Sequence, residues 1–138
     1  MAGSKQFSVR VATPVFAALE RRAREAGESR TALVERYIDE GLRLDAHPRI
    51  WFREAGAARR PAILGTRLDV WQVIETIRQN NNSVVEAAEY LEVPLGHVEA
   101  CVGYYVEYKD EIDEWTAREQ EAAEQAETAW RRSHELFA

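Results

Sequence analysis

The sequence predicts a mainly helical protein of two small domains and a helical tail, and three observations carry that expectation. Polarity alternates from Lys5 to Thr13, apolar residues recur at helical spacing through most of the chain after Pro14, and the charge balance changes near residue 45. Up to Asp45 there are eight Lys or Arg against seven Asp or Glu, giving +1. The remainder holds ten against seventeen, giving -7, so the net charge of -6 belongs to the second part. That asymmetry suggests two jobs.

The first element is a strand over Lys5 to Thr13, with Phe7, Val9 and Val11 on one face and Gln6, Ser8 and Arg10 on the other. Thr13 then offers an N-cap and Pro14 the favoured first helical position. Phe16, Leu19, Ala23 and Ala26 continue at helical spacing until Gly27, a candidate C-terminal cap. Ser29 is the N-cap candidate of a second helix, whose stripe runs through Leu33, Val34, Tyr37, Ile38, Gly41 and Leu42 and ends near Leu44.

One strand and two helices in about 45 residues cannot bury enough apolar surface to be stable alone, and both strand edges would lack partners. Dimerisation answers both needs. Two strands paired antiparallel would place Phe7, Val9 and Val11 over a shared core and leave Gln6, Ser8 and Arg10 on a polar ribbon that fits the DNA major groove. The run Gln6-Phe7-Ser8-Val9-Arg10-Val11, then Pro14, then Gly27-Glu28-Ser29, resembles the Arc and MetJ type of ribbon-helix-helix repressor over residues 5 to 44. That resemblance implies an intertwined dimer with one strand per chain. It also implies that Gln6, Ser8 and Arg10 read base edges, while Ser29 and Arg30 hold phosphate at the start of the second helix. The plainer alternative is that the three strand residues are the wet face of an amphipathic hairpin.

A second domain, residues 46–115, follows His47-Pro48. Ile50-Trp51-Phe52 and Pro61-Ala62-Ile63-Leu64 are short strand candidates around an Arg-bearing, Ala-rich loop, and Gly65 is a turn residue. Asp69 can cap a helix carrying Val70, Val73, Ile74 and Ile77, which the Asn80-Asn81-Asn82 turn ends. Ser83 with Glu86 has the spacing of a capping box. The helix it opens carries Val84, Val85, Ala88 and Leu91, breaks at Glu92-Val93-Pro94, and gives way to a longer one with Val98, Cys101, Val102, Tyr105 and Val106. Ala88, Leu91, Val93 and Val98 are spaced as in a helix-turn-helix.

From Arg49 to about Glu114 the chain resembles the small winged-helix family named domain of unknown function 433, chiefly through Pro61-Ala62-Ile63-Leu64-Gly65-Thr66-Arg67-Leu68-Asp69-Val70. Where that family has a Gly-rich approach, this chain has Glu54-Ala55-Gly56-Ala57-Ala58-Arg59-Arg60. The resemblance implies an antitoxin of a bacterial toxin-antitoxin pair, with a PIN-like ribonuclease as the cognate toxin.

Ser83 to Trp115 carries one base, Lys109, against nine acids, so phosphates would be repelled there. This unit is therefore expected to serve oligomerisation or toxin docking rather than to read DNA. Arg49, Arg53, Arg59, Arg60 and Arg67 form a basic cluster with two open readings: a surface that touches DNA beside the ribbon, or loop charges that neutralise the acidic helices. Cys101, among apolar helix positions, is expected in the core.

The tail, residues 116–138, is helix-prone and rich in Ala and Glu, with Trp130, Leu136 and Phe137 almost its only large apolar residues. It is either a plain extension of the preceding helix or a segment that a partner covers, and Trp115, Trp130, Arg131, Arg132 and Phe137 are the expected partner-binding residues.

No apolar run approaches the roughly 20 residues of a membrane span, and Met1-Ala2-Gly3-Ser4-Lys5 lacks a signal-peptide core, so a cytoplasmic location is expected. A single Cys101 forms no internal disulfide, and His47, His97 and His134 are too scattered for a metal set, so no cofactor is expected. No nucleophile, base and orienting group share a motif, and no phosphate-cradling Gly-rich loop is present, so an enzyme is not expected. The expectation is an antitoxin that binds its operator as a dimer and silences a toxin by contact. The alternative is a stand-alone repressor whose C-terminal domain oligomerises or senses a ligand.

Overall fold

Local chemistry sets the helix ends of the first unit. In the computed structural model, which describes residues 3–55 and 58–138, α1 (Thr13–Ala26) holds Pro14 in its first turn, where a missing N–H costs no hydrogen bond. The N-cap is Ala12, whose carbonyl accepts the N–H groups of Val15 and Phe16, each at 3.0 Å. Thr13 stands inside the helix and no side chain caps it, which corrects the expected N-cap by one residue. Gly27 ends α1 at φ +66°, a left-handed conformation that glycine adopts without steric cost, and Glu28 N–H closes onto the Ala23 carbonyl at 3.0 Å. Ser29 then opens α2 (Arg30–Ala46) by accepting Ala32 N–H at 3.1 Å.

Residues 3–12 carry neither helix nor strand. The strand expected over Lys5 to Thr13 is not formed in the single chain, because a strand needs a neighbour for its backbone groups. From Thr13 the chain is already helical.

The chain divides into two compact units, Met1–Arg43 and Leu44–Ala138. The second begins with an antiparallel pair, β1 (Ile50–Ala55) and β2 (Ala58–Ile63), in the register Ile50↔Ile63, Phe52↔Pro61 and Arg53↔Arg60. Arg53, Arg59 and Arg60 therefore sit on paired strands rather than on the loop expected there. Thr66 holds the following turn, donating its hydroxyl to the Ile63 carbonyl at 2.9 Å and accepting Leu68 N–H at 3.1 Å, while Gly65 takes φ +79°.

Asp69 is the N-cap of α3 (Val70–Gln79), and its N–H donates to Gln72 Oε1 at 2.9 Å. Asn81 and Asn82, both left-handed, turn the chain into α4 (Val84–Leu91). Ser83 Oγ accepts Glu86 N–H at 3.1 Å, but the Glu86 carboxylate takes the Asn81 amide at 3.0 Å, so only half of the expected capping box is made. Glu92, at φ +56°, ends α4, and α5 (Leu95–Glu107) and α6 (Lys109–Leu136) follow.

The core of this unit gathers Ile50, Ile63, Val70, Val73, Ile74, Val98, Cys101, Tyr104 and Ile112. In it α3 packs against α4, α5, α6 and β2, and α5 against β1. On α5 the buried seam is Val98, Cys101 and Tyr104, whereas Val106 is exposed, contrary to the stripe expected there. Tyr104 instead of Val106 faces inward because the seam follows the i, i+3 row that meets the core. Among the described residues the chain is thus mainly helical with one two-stranded sheet, and α6 runs unbroken through residue 116, so the tail extends the preceding helix.

Candidate functional site

Two surfaces and one buried ion cluster carry the chemistry of this molecule. The first surface belongs to the N-terminal unit. Phe7, Val9 and Val11 are 71%, 68% and 46% exposed, and Val15, Phe16, Tyr37, Ile38 and Leu42 of α1 and α2 are exposed as well. Among the described residues of that unit the buried apolar residues are Ala23 and Leu33. For about 40 residues that is a large uncovered apolar surface.

Gln6, Ser8 and Arg10 are exposed, as are Phe7, Val9 and Val11 beside them, so exposure does not distinguish the two expected faces. Ser29 and Arg30 stand together at the start of α2, where first-turn N–H groups favour an anion. The Arg30 guanidinium lies 4.9 Å from the Phe16 ring centroid and 4.0 Å from Glu20, so its contacts are weak and its charge faces solvent. No described contact joins these two residues to the three of the N-terminal segment.

The ion cluster was not foreseen. Asp69 is buried, and its carboxylate accepts from Arg53 Nε at 3.0 Å and from Arg53 Nη2, which lies 2.9 Å from each oxygen. It also accepts from Trp71 Nε1 at 3.2 Å and meets Arg60 Nη1 at 3.5 Å. Arg53 and Arg60 are directly opposed across the hairpin, so one register places both cations over the helix start. Arg60 further pairs with Glu119 of α6 at 2.5 Å and covers the Trp115 ring at 4.7 Å. The cluster ties hairpin, α3 and α6 together. Of the two readings of the Arg cluster, neutralisation of the acidic helices is met by Arg60 through Glu119, whereas Arg53 holds the N-cap Asp69 and Arg59 pairs within its own hairpin with Glu54 at 3.2 Å. The signal in the sequence was an acid at a helix start beside Arg residues of a two-stranded hairpin.

Trp115 was expected at a partner surface. Its ring is half-buried against the core and lies between Arg60 and Arg118, the latter 5.3 Å away, so it is used inside the fold. Trp130, Arg131 and Arg132 do lie on an exposed stretch of α6, which is solvent-facing from Gln120 onward, and Phe137 is the exposed cap at its end. Trp130 stacks on His134 with centroids 3.9 Å apart, Arg131 pairs with Glu127 at 2.8 Å, and Phe137 is almost fully exposed.

Burial pushes the Cys101 thiol up to about 12, so it stays protonated and unreactive near neutral pH. Among the described residues no group of three His, Cys, Asp or Glu side chains is placed to hold a metal ion, and no helix is long and apolar enough to cross a membrane. Compared with known proteins, the chain matches no family model, no curated protein and no solved structure.

Proposed function

We propose that this chain is the antitoxin of a bacterial toxin-antitoxin pair that also represses its own operon. Two copies would join residues 5 to 44 into a ribbon-helix-helix, with Gln6, Ser8 and Arg10 toward base edges and Ser29 and Arg30 toward phosphate. The observation that carries the DNA-binding half is the bare apolar row of Phe7, Val9 and Val11, next in sequence to helices whose own apolar residues are exposed. A second copy covers that row and supplies the missing strand neighbour in one step.

The capture half rests on the family resemblance, on the acidic surface of the second unit and on the aromatic end of α6. Trp130 and Phe137 are large, exposed and close in sequence to Arg131 and Arg132, a composition enriched at interface hot spots. The partner of this reading is a PIN-like ribonuclease. Co-expression with the product of the adjacent gene, followed by copurification and by an operator shift assay on the same preparation, tests both halves. Operator binding without any captured protein would favour the stand-alone repressor, and neither activity would dismiss the proposal.

A further inference from the structure

The turn between α4 and α5 presents a mixed apolar and acidic surface. Tyr90, at 72% exposed, and Leu95 are uncovered on its two sides, and Glu89, Glu92 and Glu99 of the same stretch are exposed as well. None of these three carboxylates has an ion partner among the described residues. The arrangement gains the free chain nothing. Glu89 and Glu92 lie at the C-terminal end of α4, where the helix dipole disfavours negative charge, and no basic residue occupies its last turn. One cation approaches this end of α5, Arg49, which lies along Gly96, so close that an added Cβ would meet its guanidinium.

We infer that this elbow is a docking site for a cationic protein face, one in which Lys or Arg side chains surround an apolar pocket that takes Tyr90 and Leu95. Charge complementarity selects the occupant: phosphate and acidic proteins are repelled, and a second copy of the same elbow would oppose carboxylate to carboxylate. A cationic face relieves the charge at the end of α4 while the tyrosine supplies an amphipathic anchor. In a nuclease such a face is the one that holds the nucleic-acid backbone, so docking there would exclude its substrate.

The inference rests on the reading that the chain captures a protein, and the test keeps the two apart. The full chain, carrying a photocrosslinking phenylalanine analogue at Tyr90 or at Trp130, is co-expressed with the product of the adjacent gene. Adducts from Tyr90 that map to a Lys- and Arg-rich face are expected. The triple change Glu89→Lys, Glu92→Lys, Glu99→Lys is expected to weaken capture by at least about tenfold while leaving the thermal melt of the second unit in place. Adducts from Trp130 alone, a Tyr90 adduct on an acidic or neutral face or on a second copy, or undiminished capture by the folded triple variant would overturn the elbow and leave the capture reading standing. No copurification by the parent chain would remove both. Should the triple variant not fold, the Tyr90 adduct decides.

Discussion

The two units of this chain solve the problem of burial differently. Leu44–Ala138 encloses a core with residues from its hairpin and all four of its helices, and it closes that core with a buried carboxylate held by two arginines. Met1–Arg43 buries Ala23 and Leu33 and leaves its larger apolar residues open. One unit closes its core within the single chain, and the other, among the described residues, does not. Self-sufficiency is therefore a property of the segment, and the incomplete segment is where a partner copy should be sought.

The largest expected effect attacks the complete unit. Asp69→Ala leaves Arg53 and Arg60 facing each other without their carboxylate and removes the acceptor of Trp71 Nε1. The arginines left behind are partly exposed and Arg60 keeps Glu119, so the cost is that of the lost charge-assisted hydrogen bonds, about 2 to 3 kcal/mol, and the second unit should melt earlier in urea or heat. A loss under about 1 kcal/mol would mean that the cluster is not what closes this core.

The incomplete unit should respond to concentration and to the two strand faces separately. Its unfolding transition is expected to move upward with protein concentration, while that of the second unit stays fixed. Val9→Ala should lower the first transition by about 1 to 2 kcal/mol, and Arg10→Ala should leave it in place. In the shift assay Arg10→Ala should instead cost about 1 to 3 kcal/mol per contact. A concentration-independent first transition would break the comparison, since the unit would then be complete without a partner.

A smaller test divides α6 between the two categories. Up to Glu119 the helix is part of the closed unit, through Ile112, Thr116 and the Arg60 pair, so truncation belongs after Gln120 rather than at Thr116. Trp130→Ala with Phe137→Ala touches only exposed positions and should change stability by less than about 0.5 kcal/mol. Capture of the adjacent gene product should nonetheless weaken by about 2 kcal/mol or more. Equal capture by the double variant would leave the end of α6 as a helix without a partner.

What the sequence disclosed was local. Pro14, Gly27, Ser29, Asp69 and the Asn80-Asn81-Asn82 turn mark element ends because their effects act within a few residues, and each end was legible to within a position or two. The Asp69 cluster was not, because its partners lie nine and sixteen residues away on a hairpin whose register periodicity does not reveal. On α5 the spacing admits two overlapping stripes, and only the packing of the other elements around it selects Tyr104 over Val106. Trp115 read as an anchor for the same reason: an aromatic residue near a domain end is equally suited to a partner or to an arginine of its own fold. At the elbow, Glu89, Glu92 and Glu99 were counted as charges, but their lack of ion partners and their place beside Tyr90 needed the fold.

The smallest effect concerns the surface of the complete unit, where Asp113 accepts from Lys109 Nζ at 2.6 Å and from the Tyr105 hydroxyl at 2.6 Å. These bonds, Lys109 first, hold its carboxyl below the usual carboxylate range. A carboxyl more acidic in the folded than in the unfolded chain stabilises the fold above its unfolded value, and the gain is lost as pH falls through the lowered folded value. The advantage of the parent over Asp113→Asn should therefore persist through neutral pH and fade only in acid, below the ordinary range of an aspartate. Because the group is near the surface, the advantage should be small and should shrink with added salt. Melting curves of the two proteins across that acid range, at low and high salt, check both statements. An advantage that stayed unchanged through the acid range would mean that Asp113 supports the fold through packing and not through its charge.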